Sequence, residues 1–134
     1  MVTLNNVFGN ENILKKETKG CFTVLEHKSD RSVSAKTAMQ EYFKGKMGLN
    51  RRQLLCNLDG NAVKTQAGAM QWTAGTVESV TGITGAGQFA KNILKAAVTK
   101  ESAVKPVYRG KGQLMLEPTY RYILLEDVAS WGEK

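Results

Sequence analysis

The feature that most constrains this chain is the glycine punctuation of residues 54–98, LLCNLDGNAVKTQAGAMQWTAGTVESVTGITGAGQFAKNILKAAV. Short runs rich in apolar and β-branched residues are interrupted there by glycine. The whole chain has 13 Gly and only 2 Pro. Many glycines without proline mark tight turns, because a residue lacking Cβ enters positive φ at little steric cost. Asp59-Gly60, between the runs 54–58 and 61–65, predicts a β-hairpin with a type I′ turn. This makes Asp59 a turn residue rather than an acid catalyst. Gly68 interrupts the next run and predicts a bulge or a close backbone approach. Gly75 predicts a turn before residues 76–81, which alternate like a strand. Residues 82–87 then lead into a helical stripe of Phe89, Ala90, Ile93, Leu94, Ala97 and Val98.

The flanking sequence reads as further packing. Ile13-Leu14 predict a short edge strand, ended by Lys19-Gly20, and residues 21–25 predict a well-covered strand. Ala35, Ala38, Met39, Tyr42 and Phe43 recur at i, i+3, i+4, i+7 and i+8, which predicts a helix with one apolar face; packing inward is the favoured role for that face, and a binding groove at Tyr42 and Phe43 is the alternative. Ser32 or Ser34 would cap its start, and Gly45 or Gly48 would end it. Residues 103–108, 113–117 and 120–125 read as three strands, separated by residues 109–112 and by Pro118-Thr119. Spaced short strands with two helices imply a mainly β domain, a sandwich or barrel carrying two helical insertions.

With 134 residues the chain fits a single domain, residues 1–134, that would bury roughly two-thirds of its unfolded surface. Hydrophobic content of 42% and charged content of 23% are those of a globular protein rather than a disordered one. The formal net charge of +7 permits contact with phosphate or acidic surfaces. The basic residues are nevertheless scattered, with only short pairs at Lys15-Lys16 and Arg51-Arg52. Cys21 and Cys56 lie in apolar runs without metal-ligand spacing, and read as reduced, buried thiols suited to a reducing compartment. There is no signal-peptide pattern and no apolar run of spanning length, so the expectation is a cytoplasmic protein without a membrane span.

Three constellations invite a chemical reading. Gly82, Gly85 and Gly87 lie between a strand and a helix, the arrangement in which converging N–H groups hold an anion. Their order is neither a dinucleotide fingerprint nor a P-loop, and turns or close packing explain them better. Tyr108, Arg109, Tyr120, Arg121 and Tyr122 mix aromatic and basic side chains, as a stacking platform for single-stranded nucleic acid would. Strand alternation explains that mix equally well. His27, the sole histidine, reads as a surface residue, and Glu117, Glu126 and Asp127 as solvated strand ends. No catalytic residue, metal site or cofactor is expected.

Several segments together resemble the altered-inheritance-of-mitochondria protein 24 family, also called the mitochondrial biogenesis family, in its bacterial form. They are residues 58–61, QAGAMQW at residues 66–72, Gly82-Ile83 with Gly85-Ala86-Gly87, residues 97–102, Gly110-Lys111-Gly112, and residues 116–120. The resemblance covers residues 20–131. It implies a fold like the tryptophan RNA-binding attenuation protein, a β-sandwich of two packed sheets, often in a larger oligomer. Family members usually carry a second, related β unit after the equivalent of Trp131-Gly132, so this domain would be the first of two. The family transfers no catalytic residue. The resulting expectation is a non-enzymatic, homo-oligomeric scaffold or interaction module. Single-stranded nucleic-acid binding and anion binding at residues 82–87 are the alternatives.

Overall fold

The computed structural model of the chain describes residues 3–80 and 105–132. It is mainly β, with strands β1 Ile13–Lys19, β2 Phe22–His27, β3 Arg52–Asn57, β4 Val63–Lys64, β5 Met70–Val80 and β6 Val107–Leu116. One helix, α1 Ala38–Lys46, and one 3-10 turn, Val128–Trp131, complete the elements among the described residues. The glycine run 82–87 and the helical stripe 89–98 lie outside the described residues.

The chain divides into two compact units. The flanking unit comprises Thr3–Leu55 and Pro118–Lys134, and the central unit comprises Met1–Val2 and Cys56–Glu117. In the flanking unit β1 pairs antiparallel with β2, from Ile13 opposite His27 to Lys19 opposite Phe22. The join falls at Gly20, whose φ of +59° glycine adopts without strain. β2 also neighbours β3, and the His27 N–H donates to the Arg51 carbonyl at 2.9 Å. Val24, Leu25 and Leu55 form the buried apolar set of this unit. Burial of three successive residues, Val24, Leu25 and Glu26, shows a strand covered on both faces, as the sequence pattern predicts.

α1 ends where the sequence indicates. Gly48 takes φ +78°, its N–H donates to the Gly45 carbonyl at 3.1 Å, and the Leu49 N–H donates to Lys44 at 2.8 Å. Two such bonds around a left-handed glycine satisfy carbonyls that the last turn leaves free. The start differs from expectation. Thr37 is the N-cap and makes no capping side-chain bond. Ser34 contributes instead through its carbonyl, which accepts from Ala38 N–H at 2.9 Å.

In the central unit β6 pairs antiparallel with both β4 and β5. The expected hairpin at Asp59-Gly60 is corrected here. The turn forms, with Asn61 N–H on the Leu58 carbonyl at 3.1 Å and Gly60 at φ +78°, but β4 pairs with β6. β3 and β4 are therefore not hairpin partners. Leu58 N–H donates to the Gly112 carbonyl at 2.9 Å, directing this segment to β6 as well.

Two expected turns are strand interiors. Gly75 sits within β5 opposite Gly112, and residues 109–112 run through β6 without a break. The reason is steric. Gly110 and Gly112 take φ of +126° and +156°, and a Cβ on either would overlap the carbonyl oxygen of Thr76 or Ala74. Glycine here permits close approach of two strands instead of ending them. Gly68, expected to mark a bulge, lies in a turn before β5 with open space around it. The register shift falls between Met70 and Trp72. Cys56, Leu58, Val63, Tyr108, Leu114 and Met115 make up the apolar core of this unit.

Candidate functional site

α1 is anchored through its polar side. Tyr120 donates its hydroxyl hydrogen to Glu41 Oε2 at 2.7 Å. Arg51 Nε donates to the Tyr120 hydroxyl oxygen at 3.1 Å. Lys44 bonds Glu41 Oε1 at 2.9 Å, and the Lys44 ammonium and Arg51 guanidinium each lie 5.1 Å from the Tyr120 ring centroid. Arg51 also meets Asp30 Oδ2 at 3.0 Å. One tyrosine thus organises two cations and a carboxylate, using its ring face for the cations and its hydroxyl for hydrogen bonding.

The electrostatics follow the contacts. The bond from Lys44, with that from Tyr120, holds the Glu41 carboxyl below its ordinary range. Glu41 in turn raises Lys44. The Ser32 hydroxyl and N–H donate to Asp30 and lower it, and Arg51 adds to the effect. The hydrogen bond with Tyr120 raises Arg51 above its ordinary value.

The apolar side of α1 is left bare. None of its residues is buried, and Met39, Tyr42 and Phe43 are 70%, 59% and 57% exposed. Met47 and Leu49, just past its end, are exposed too. The sequence expectation of inward packing is therefore corrected: the helix docks with its charged side inward. The physical reason is the Glu41–Lys44 pair, three residues apart on one face, which Tyr120 and Arg51 satisfy.

A second aromatic–basic contact lies in the same unit. The Arg52 guanidinium stacks 4.1 Å from the Tyr122 ring centroid. Arg52 is itself buried and bonds Glu26 Oε2 at 3.0 Å, while Tyr122 is 79% exposed. Residues 120–125, expected as a strand, form none. A single bridge joins Thr119 to Arg52, after which the Arg121 N–H turns onto Thr119 Oγ1 at 3.1 Å. That local side-chain bond competes with continuation of the ladder.

The five aromatic and basic residues singled out by sequence divide between the units. Tyr120, Arg121 and Tyr122 belong to the flanking unit and Tyr108 and Arg109 to the central one. Tyr108 is buried in the central core. Arg109 is exposed and pairs with Glu78 at 3.2 Å. Gly82, Gly85 and Gly87 lie outside the described residues.

His27 is half-buried rather than a surface residue, its Nε2 lying 2.7 Å from Gln53 Oε1 across neighbouring strands. Cys56 is buried as expected, whereas Cys21 is half-buried. Glu117 belongs to the central unit and Glu126 and Asp127 to the flanking unit; all three are exposed. Asp127 accepts from the Ala129 N–H at 3.1 Å at the start of the 3-10 turn.

The flanking unit also holds a half-open cavity of about 380 Å³, lined by Val7, Phe8, Ile13, Leu25 and Lys15. The Lys15 ammonium lies 5.7 Å from the Phe8 ring centroid. Sequence reasoning missed the roles of Glu41, Lys44 and Arg51. Their signal was present in the Glu41–Lys44 spacing, but the partner, Tyr120, is remote in sequence. Comparison with protein-family models, with curated proteins and with solved structures finds no match. No helix among the described residues is long and apolar enough to cross a membrane.

Proposed function

We propose that the chain is a non-enzymatic β-rich interaction module that associates with itself, and that it works in the cytoplasm. The observation carrying this reading is the inverted helix. α1 turns Glu41 and Lys44 toward Tyr120 and Arg51 and leaves Met39, Tyr42 and Phe43 in solvent. An apolar helix face costs free energy in water, and covering it by a second copy recovers that cost. Met and aromatic side chains suit such a role, since they bury large area and adapt to a partner surface.

Membership of the mitochondrial biogenesis family, and a sandwich of two packed sheets, belong to the same proposal. QAGAMQW at residues 66–72 and residues 116–120 support the family reading. The mainly β architecture supports the sandwich. Light scattering across a concentration series tests self-association. The expected result is a multimer whose mass falls in a Met39→Glu, Phe43→Glu variant with unchanged circular dichroism. A wild-type chain that stays monomeric at every concentration overturns the reading.

A second reading is single-stranded nucleic-acid binding at Tyr120, Arg121 and Tyr122. The exposed Tyr122 ring, backed by the Arg52 guanidinium, favours it, because one ring face contacts the cation and a base stacks on an aromatic face. Salt-dependent binding of labelled oligonucleotide, lost in Tyr122→Ala, is its expected signature. Absence of binding at low salt removes it.

A further inference from the structure

The segment before β1 is a loop fixed by asparagines. Asn6 takes φ +64° and Gly9 φ +81°, left-handed conformations that these two residue types tolerate best. They bracket Val7 and Phe8. Asn10 donates from Nδ2 to the Asn6 carbonyl at 3.0 Å and to Asn6 Oδ1 at 3.1 Å, and its Oδ1 accepts from the Asn12 N–H at 2.8 Å. Asn12 ties the loop to the chain just past β2. Its Nδ2 donates to the Ser29 carbonyl at 2.8 Å, and its Oδ1 accepts from the Ser29 N–H at 3.0 Å and the Ser29 hydroxyl at 2.7 Å. Three asparagines thus hold in place a loop that carries two apolar residues.

With one face of the β1–β2 ladder, this loop encloses the half-open cavity of about 380 Å³. Lys15 stands opposite Leu25 in register, and directly opposite residues share a face of the ladder. The volume lies near the lower end of the range of ligand pockets, about 300–1,000 Å³. Leu25 is 1% exposed and Phe8 54%, so the lining runs from the buried ladder out to solvent. Lys15 is the one charged side chain in it. Its ammonium lies over the Phe8 ring and has no carboxylate partner among the described residues, while the neighbouring Lys16 takes Glu26 at 3.9 Å. A cation beside an apolar cavity, with no counter-ion of its own, calls for an anion joined to an apolar body.

We propose that this cavity binds a small amphiphile, a short apolar chain ending in one carboxylate, with the chain against Val7, Ile13 and Leu25 and the carboxylate on the Lys15 ammonium. The ligand chemistry follows from the lining. Burial of apolar surface draws the chain in. A neutral ligand would strip water from Lys15 without replacing it, which costs free energy. A doubly charged phosphate ester would bring more charge than one ammonium offsets. A single carboxylate balances that charge and accepts a charge-assisted hydrogen bond. Because the asparagines hold the loop before any ligand arrives, little ordering cost falls on binding. The site goes beyond the interaction module proposed above and does not depend on self-association.

Calorimetric titration of the full chain with octanoate, and with octanol as its uncharged counterpart, supplies the test. Octanoate should bind once per chain, more tightly than octanol, with a negative heat-capacity change from apolar burial. Lys15→Met keeps an unbranched apolar stem and removes the charge. It should weaken octanoate about tenfold or more and leave octanol within about threefold of wild type. Val7→Trp, at a half-buried position, fills the cavity and should weaken both ligands. Circular dichroism confirms that both variants fold. In nuclear magnetic resonance spectra, the methyl signals of Val7, Ile13 and Leu25 should shift as octanoate is added. Absence of octanoate binding at millimolar concentration overturns the proposal. So does a Lys15→Met variant that binds octanoate as wild type does, or that loses both ligands equally. Octanoate binding that survives Val7→Trp, or that leaves those methyl signals unmoved, places the ligand elsewhere and overturns the proposal as well.

Discussion

In the flanking unit, order depends on charge: Arg52 on Glu26, Arg51 on Asp30, Lys44 on Glu41, with Tyr120 and Tyr122 as the rings between them. In the central unit the described ion pair is Arg109 with Glu78, both well exposed, and such a pair contributes about 0–1 kcal/mol. That unit depends instead on backbone, with Gly110 and Gly112 letting β6 lie close against β5. The contrast has a physical consequence. A charge-held region should respond to pH and to loss of one partner, whereas a backbone-held one should ignore pH and fail when a Cβ is added.

The sharpest way to break this contrast is Gly112→Val. The new Cβ would overlap the Ala74 carbonyl oxygen, and the residue would need φ near +156°. Neither strand can yield without losing ladder bonds. We expect a loss of roughly 3 kcal/mol or more, or failure to fold. Gly60→Ala is the control, because its φ is +78° but a Cβ meets open space, so it should cost only about 1–2 kcal/mol. Urea denaturation of both variants checks this. Equal costs would mean that close strand approach does not matter.

Next in size is Arg52→Leu in the flanking unit. Arg52 and Glu26 side chains are each 9% exposed, and the other cation near Glu26 is Lys16 at 3.9 Å. Removing one member of a buried pair leaves the other poorly compensated, at about 3 kcal/mol. The double variant Glu26→Leu, Arg52→Leu removes both charges and should recover part of that loss. A double variant less stable than Arg52→Leu alone would show that packing of the arginine stem, not charge, holds this region.

How legible each unit was in the sequence follows from the same contrast. Strand periodicity located β2 and most of β5 and β6, because alternation and β-branching are local signals. The glycines misled in one respect. A glycine that ends a strand and one that lets two strands touch look alike until the neighbour is known, so Gly75, Gly110 and Gly112 read as turns. Asp59-Gly60 marked a real turn, but the partner of the following strand is β6, set by contacts distant in sequence. The apolar stripe on α1 gave the helix but not its orientation. That depended on Tyr120, some eighty residues away, meeting Glu41. Within the aromatic–basic grouping, burial separates Tyr108, which belongs to the central core, from Tyr122, which stays exposed, and strand alternation alone does not tell the two apart.

The smallest expected effect is also the most specific to the charge-held unit. Glu41 and Asp30 both have folded values below their ordinary range, Glu41 chiefly through Lys44 and then Tyr120, Asp30 chiefly through Ser32. A carboxylate lowered on folding contributes stability that is present above its unfolded value, about pH 4, and disappears as pH falls through the folded value. Tyr120→Phe keeps the ring for Lys44 and Arg51 but removes the hydroxyl bond to Glu41. Glu41 should then move back toward its ordinary range. The variant should therefore be less stable than wild type near neutral pH, by a small fraction of the Arg52→Leu effect. The difference should shrink as pH falls below 4. Thermal denaturation of both proteins between pH 2 and pH 7 measures it. A difference that stays constant across that range would place the hydroxyl's contribution on Arg51 rather than on Glu41, and the pH sensitivity of the unit would then rest on Asp30.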